Sequence, residues 1–258
     1  MPRFAASLSM MFGELPLPER FAAAAAAGFR GVEIQAPYDH DPALLRTLAD
    51  EAGLEVVLIN LPAGDAEAGE RGLAGLPGRQ GAFEAAVERG LAWARALGCP
   101  RVHAMAGVRP DSATVNDCEL VLIDNLRRAC AGAPDITFLV EPINQRDMPG
   151  YLVNRQSQAR RIVEAVGADN CRIQFDFYHC QNVEGDLARH FEAQLPLIGH
   201  VQIADNPGRH EPGSGEIGWP FLFGLIDAAG WEGWVGCEYK PAGATLAGLG
   251  WARDYGIV

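Results

Sequence analysis

The chain has 258 residues, 48% of them hydrophobic and 21% charged, which is ample material for a folded core and lacks the bias of a disordered or fibrous segment. Its formal net charge of −12 repels phosphate backbones and anionic lipid, so nucleic acid and membrane surfaces are not expected as partners, while small anions remain open. The six cysteines (Cys99, Cys118, Cys130, Cys171, Cys180 and Cys237) form no CxxC pair, and a chain of this size needs no disulfide staples. Free thiols in a reducing cytoplasm are expected. The start, Met1-Pro2-Arg3-Phe4, lacks the pattern of a secretion signal, and the alanine-rich run Phe21–Ala27 is far short of the ~20 residues a membrane span requires.

Short apolar runs alternate with longer segments of helical spacing. Phe4–Ser9 precedes a helix over Leu17–Ala27 that stops at Gly28, and Gly31–Gln35 precedes a helix over Pro42–Ala52 that stops at Gly53. Leu54–Asn60 leads into a Gly-rich excursion, Pro62–Arg79, and then a helix over Ala82–Leu97. Arg101–Met105, a helix over Thr114–Cys130, Ile136–Glu141 and a helix over Arg155–Val166 follow. Arg172–Phe177, a helix over Asp186–Ala193 and Ile198–Ala204 come next. A second Gly/Pro-rich excursion, Asn206–Gly218, leads to a helix over Pro220–Ala229, the run Trp234–Tyr239 and a short C-terminal helical segment.

Strands alternating with helices imply parallel pairing through crossovers. Eight such units in this length point to a single (β/α)₈ TIM barrel spanning residues 1–258, with no internal linker. The rival, an open doubly wound sheet, would be expected to carry a GxGxxG turn after its first strand for a dinucleotide, and none follows Phe4–Ser9.

In such barrels the active site forms at the C-terminal ends of the strands. The fifth run ends in Glu141, the sixth in Asp176, the seventh in Gln202-Ile and the eighth in Glu238. An unpaired carboxylate at the end of an apolar run is costly. Neighbouring strands lie about 4.8 Å apart, so four oxygen-bearing side chains on successive strands can converge on one point. A divalent cation would relieve the repulsion among three carboxylates. An all-oxygen set without thiolate or imidazole suits Mg²⁺ or Mn²⁺.

The sequence resembles the hydroxypyruvate isomerase family, within the xylose-isomerase-like barrels, over essentially its whole length. The resemblance rests on Ser7-Leu-Ser-Met-Met-Phe12, Gly69-Glu-Arg-Gly72, His103-Ala-Met-Ala-Gly107, Glu141-Pro-Ile-Asn144 and Asp176-Phe-Tyr-His179. Its most specific segments are Gln202-Ile-Ala-Asp-Asn-Pro-Gly-Arg-His-Glu-Pro-Gly213 and Gly236-Cys-Glu-Tyr-Lys-Pro241. The resemblance implies that Glu141, Asp176, Gln202 and Glu238 bind the metal, and that Glu141 and Glu238 also serve as proton donor and acceptor. Related epimerases carry His where this chain has Gln202, which sides the chain with the isomerases. Ser7 departs from the Asn common in the family.

Isomerising an α-hydroxy carbonyl moves a proton between adjacent carbons through an enediolate, whose charge must be stabilised where it develops. The implied reaction converts hydroxypyruvate to 2-hydroxy-3-oxopropanoate (tartronate semialdehyde). A 2-oxo-tetronate isomerase has the same site and one more substrate carbon. A ketose 3-epimerase, an endonuclease on the same barrel and a non-catalytic metal or sugar-acid binding barrel are the remaining readings. A substrate bearing a carboxylate calls for cations or donors near the metal, and His179, Arg209, Lys240, Arg71 and His103 are the candidates, with His210 beside them. The two Gly/Pro-rich excursions are long enough to be functional loops that exclude water. Sequence does not bear on oligomeric state.

Overall fold

The computed structural model describes residues 1–258. Eight parallel strands close into a barrel in chain order: β1 (Arg3–Ser7), β2 (Gly31–Ile34), β3 (Glu55–Asn60), β4 (Arg101–His103), β5 (Thr137–Val140), β6 (Cys171–Asp176), β7 (Ile198–Ile203) and β8 (Trp234–Cys237). Closure is made by β1 on β8, with Arg3 opposite Trp234 and Ala6 opposite Cys237. Around it run α1 (Leu17–Ala26), α2 (Pro42–Glu51), α3 (Gln80–Leu97), α4 (Val115–Gly132), α5 (Gln156–Val166), α6 (Phe177–Val183), α7 (Leu187–Gln194), α8 (Trp219–Ala228) and α9 (Thr245–Gly248). No helix is long and apolar enough to cross a membrane.

The sequence signals act where expected. Thr114 and Asp117 form a reciprocal cap at the start of α4, satisfying two otherwise orphaned backbone donors. Gly98 and Gly167 leave α3 and α5 in the left-handed conformation, at φ 65° and 70°. The expected strands and helices match the observed elements to within a few residues. The exception is α6, which follows β6 without a loop.

That helix matters because it carries His179 into the barrel mouth. Asp176 ends β6 and also caps α6, its Oδ1 accepting from the Tyr178 amide at 2.7 Å. Phe177 anchors the helix from below, its ring 4.9 Å from Phe175 and 5.4 Å from Phe191. Burying a side chain of this size contributes about 1.5–3 kcal/mol. The strand end and the helix start are thereby held as one rigid corner.

Candidate active site

The mouth of the barrel holds a cavity of about 350 Å³. Glu141, just past β5, Glu238, just past β8, and His179 and Arg209 all line it, with His103 from the end of β4. Glu141, Asp176, His179 and Glu238 are all buried and offer ligand atoms that lie within 4.8 Å of one another. The strand register explains the convergence: Asp176 lies opposite Gln202 on β7, and Gln202 lies opposite Gly236 on β8.

Three carboxylates buried together disfavour their own ionisation. Burial, followed by the charges of Glu238 and Asp176, raises Glu141 well above the usual carboxylate range. Burial and Glu238 push Asp176 up to about 7. Glu238 is raised by burial too, against the opposing pull of Arg209. Glu141 Oε1 and Asp176 Oδ2 are buried and accept no hydrogen bond. Buried acceptors without donors are costly, and a divalent cation is the group that would satisfy both. The donor set therefore fits a metal ion.

The histidines present neutral faces to this cluster. His103 is lowered to about 3 by burial, and its Nδ1 lies 3.4 Å from Glu141 Oε2. His179 is pushed well below its ordinary value by burial and then by the charge of Arg209. Asn144 reaches its Nδ1 at 2.7 Å with the side-chain amide, which leaves the His179 proton on Nε2. That Nε2 faces Glu141 Oε1 and Asp176 Oδ2, each at 3.7 Å.

Arg209 is the one guanidinium in the cavity lining. It donates to Glu238 Oε2 at 2.5 Å and to Asp147 Oδ2 at 3.3 Å, and its plane lies over the Tyr178 ring. Although desolvation opposes its charge, Glu238, Asp176, Glu141 and Asp147 together hold it protonated. Its backbone adopts φ +53°, and its carbonyl accepts from the Lys240 amide at 2.9 Å, which ties the β7 loop to the end of β8.

The remaining candidates lie elsewhere. Lys240 is exposed and outside the cavity lining, although its carbonyl lies 2.7 Å from His210 Nδ1. Arg71 is also exposed and folds back on its own loop, donating to the carbonyls of Glu70 and Ala66. Ser7 is buried with an unpartnered hydroxyl and does not line the cavity. Gln202 is fully buried, opposite Asp176 and outside the cavity lining, its Nε2 donating to Glu33 and its Oε1 accepting from Gln174. Sequence reasoning missed Gln35, which donates to Glu238 Oε1, and the interior group of Glu33, Gln174 and His200. The alternation of β2, β6 and β7 could have found them: Glu33 sits in an otherwise apolar strand, and Gln174 and His200 lie two residues before Asp176 and Gln202.

The model of the xylose isomerase-like TIM barrel family matches residues 21–255, in agreement with the closed parallel barrel. The chain is 50% identical over 257 residues to 2-oxo-tetronate isomerase of Cupriavidus necator, covering 99% of each chain. It is 45% identical to hydroxypyruvate isomerase of Escherichia coli, covering 99% of this chain and 100% of that one. A crystal structure described as AP endonuclease, family 2, from Brucella melitensis superposes with a TM-score of 0.96 at 46% identity, covering 99% of both chains. The protein belongs to the xylose isomerase-like TIM barrel family, in its hydroxypyruvate isomerase branch.

Proposed function

We propose that the protein is an intramolecular aldose–ketose isomerase of small hydroxy-oxo acids, converting hydroxypyruvate to 2-hydroxy-3-oxopropanoate with Mg²⁺ or Mn²⁺. The observation that carries this reading is the buried Glu141–Asp176–Glu238 cluster with its two unpartnered oxygens, set beside a single cavity guanidinium. Glu141, Asp176, Gln202 and Glu238 would hold the cation. When bound, it would polarise the substrate carbonyl and offset the charge of the enediolate, worth several kcal/mol.

The other steps fall to the side chains. Glu141 and Glu238 flank the substrate from β5 and β8, one removing the carbinol proton and the other returning a proton to the former carbonyl carbon. Arg209 offers the substrate carboxylate a planar fork of donors, and the neutral Nε2–H of His179 adds a further donor. His103 stays uncharged beside Glu141 and so does not neutralise it.

A second reading, the four-carbon 2-oxo-tetronate, is favoured by the relative at 50% identity. A phosphodiester strand suits the site poorly, since the chain carries a net charge of −12. The six free cysteines are all buried, in keeping with a reducing compartment such as the cytoplasm. A coupled assay on hydroxypyruvate and on four-carbon oxo-acids, with and without Mg²⁺ or Mn²⁺, tests the proposal. Turnover of at least one acid only with metal is expected; no turnover of any acid with either metal would overturn it.

A further inference from the structure

Beside Gln202, the one uncharged member of the proposed ligand set, lies a buried polar layer of Glu33, His200 and Gln174 to which no step of the reaction has been assigned. Glu33 on β2 pairs with His200 Nε2 through one carboxylate oxygen. Its other oxygen accepts from Gln202 Nε2 at 3.0 Å. Gln202 Oε1 in turn accepts from Gln174 Nε2 at 2.6 Å. A chain of oriented side chains thus runs from His200 through Glu33 and Gln202 to Gln174.

Two features show that the barrel is shaped around this layer. Register shifts between neighbouring strands fall at Val32/Glu33 and at Ile173/Gln174, and such bulges re-aim side chains. Across the lumen on β8 stands Gly236, where an added methyl group would overlap the Glu33 carboxylate. A buried carboxylate is costly unless hydrogen bonds satisfy it, and Glu33 has one partner on each oxygen.

The chemical consequence lies in the amide of Gln202. A carboxylate accepts hydrogen bonds and donates none, so the group that Gln202 turns to Glu33 must be its NH₂. The amide oxygen is then turned the other way, towards Gln174, and keeps a second lone pair. Only that oxygen can ligate a hard cation. We propose that Glu33 is a positioning residue: its carboxylate, held by His200, orients Gln202 so that oxygen rather than NH₂ is offered to the metal. The inference rests on the reading of the mouth as a metal centre.

Mn²⁺ binding to the full-length, EDTA-stripped protein, followed by the EPR signal of free Mn²⁺, separates the two claims. Glu33→Gln introduces an NH₂ that can donate to Gln202 and turn its amide round, so affinity is expected to fall roughly 10–100-fold, the usual cost of losing an outer-shell partner. Gly236→Ala, which displaces the Glu33 carboxylate while leaving every ligand intact, is expected to weaken binding at least about tenfold by the same rule. The double variant Glu33→Gln/Gln202→Glu is expected to recover most of the lost affinity, because both carboxylate oxygens can ligate whichever way the group turns. The gain from Gln202→Glu is expected to be larger in the Glu33→Gln background than in the otherwise wild-type protein; an equal gain would mark a merely structural role for Glu33 and overturn the inference. Mn²⁺ affinity unchanged in Glu33→Gln or Gly236→Ala, or a double variant no tighter than Glu33→Gln, overturns the inference alone. A wild-type protein that binds no Mn²⁺ overturns the metal reading itself.

Discussion

The two Gly/Pro-rich excursions read alike in sequence and behave differently in the fold. The segment 62–79 touches the cavity only through Pro62 and Ala63 and turns its charged side chains on itself: Glu70 pairs with Arg79 and accepts from the Asp65 amide at 2.7 Å, while Arg71 bonds carbonyls of its own loop. The segment 206–218 is tied to the reaction centre instead, with Arg209 on Glu238 and its carbonyl on the Lys240 amide. The difference follows from what faces each loop. Arg71 has an acidic and carbonyl-rich loop around it, whereas Arg209 faces four carboxylates across the cavity. A basic residue in a loop after a strand is thus a substrate-binding candidate only when unsatisfied anions lie within its reach.

Substitutions on either side should separate the two loops. The largest effect is expected where the 206–218 loop meets the acid cluster. Glu238→Gln removes a proposed proton carrier and the partner of Arg209 together, and kcat should fall about 10²–10⁴-fold, as should that of Glu141→Gln, read in steady-state assays. Wild-type rates in either variant would remove that residue from proton transfer. Arg209→Met should cost about 10–100-fold in kcat/KM, the scale of losing hydrogen bonds to a charged group, and should act chiefly through KM. An unchanged KM would place the substrate carboxylate elsewhere.

A smaller effect should appear in stability. Asp176 rises from 3.8 to about 7 on folding. Between those values the native state binds a proton that the unfolded chain does not, so this group's contribution declines as pH rises through the window. Metal reverses the trend, because the cation binds the ionised form. Differential scanning calorimetry should therefore show a melting-temperature gain from Mn²⁺ that grows from pH 5 to pH 8, reaching roughly 5–10 °C at a hundredfold excess over Kd. A gain that shrinks with rising pH would contradict a carboxylate metal centre. The smallest effect is expected for Arg71→Ala, within about 0.5 kcal/mol of wild-type stability and with unaltered kcat/KM. A substantial rise in KM would show that the 62–79 loop closes over the substrate.

The barrel was legible because its evidence repeats: eight apolar runs, with helices ended by glycine or capped by threonine and aspartate, agree with one another along the chain. The carboxylates were legible for a related reason, since a charged residue at the end of an apolar strand stands out. The short helix α6 escaped because Asp176 is both the last strand residue and the helix cap, leaving no loop residues to mark the change. Glu33, Gln174 and His200 escaped because they act on one another across the lumen from β2, β6 and β7. Their partnership depends on strand shear and on the space left by Gly236, which linear spacing does not express.

The proposed reaction is proton transfer at a carbon next to a carbonyl, assisted by a metal. Proton NMR of hydroxypyruvate and of four-carbon oxo-acids incubated with the protein in D₂O observes that transfer without a coupling enzyme. With Mg²⁺ or Mn²⁺ present, the carbon-bound proton signal of at least one acid should fade as deuterium enters, stop fading after EDTA, and resume once metal is restored. Carbon-bound protons that persist in every acid with metal present would contradict the account.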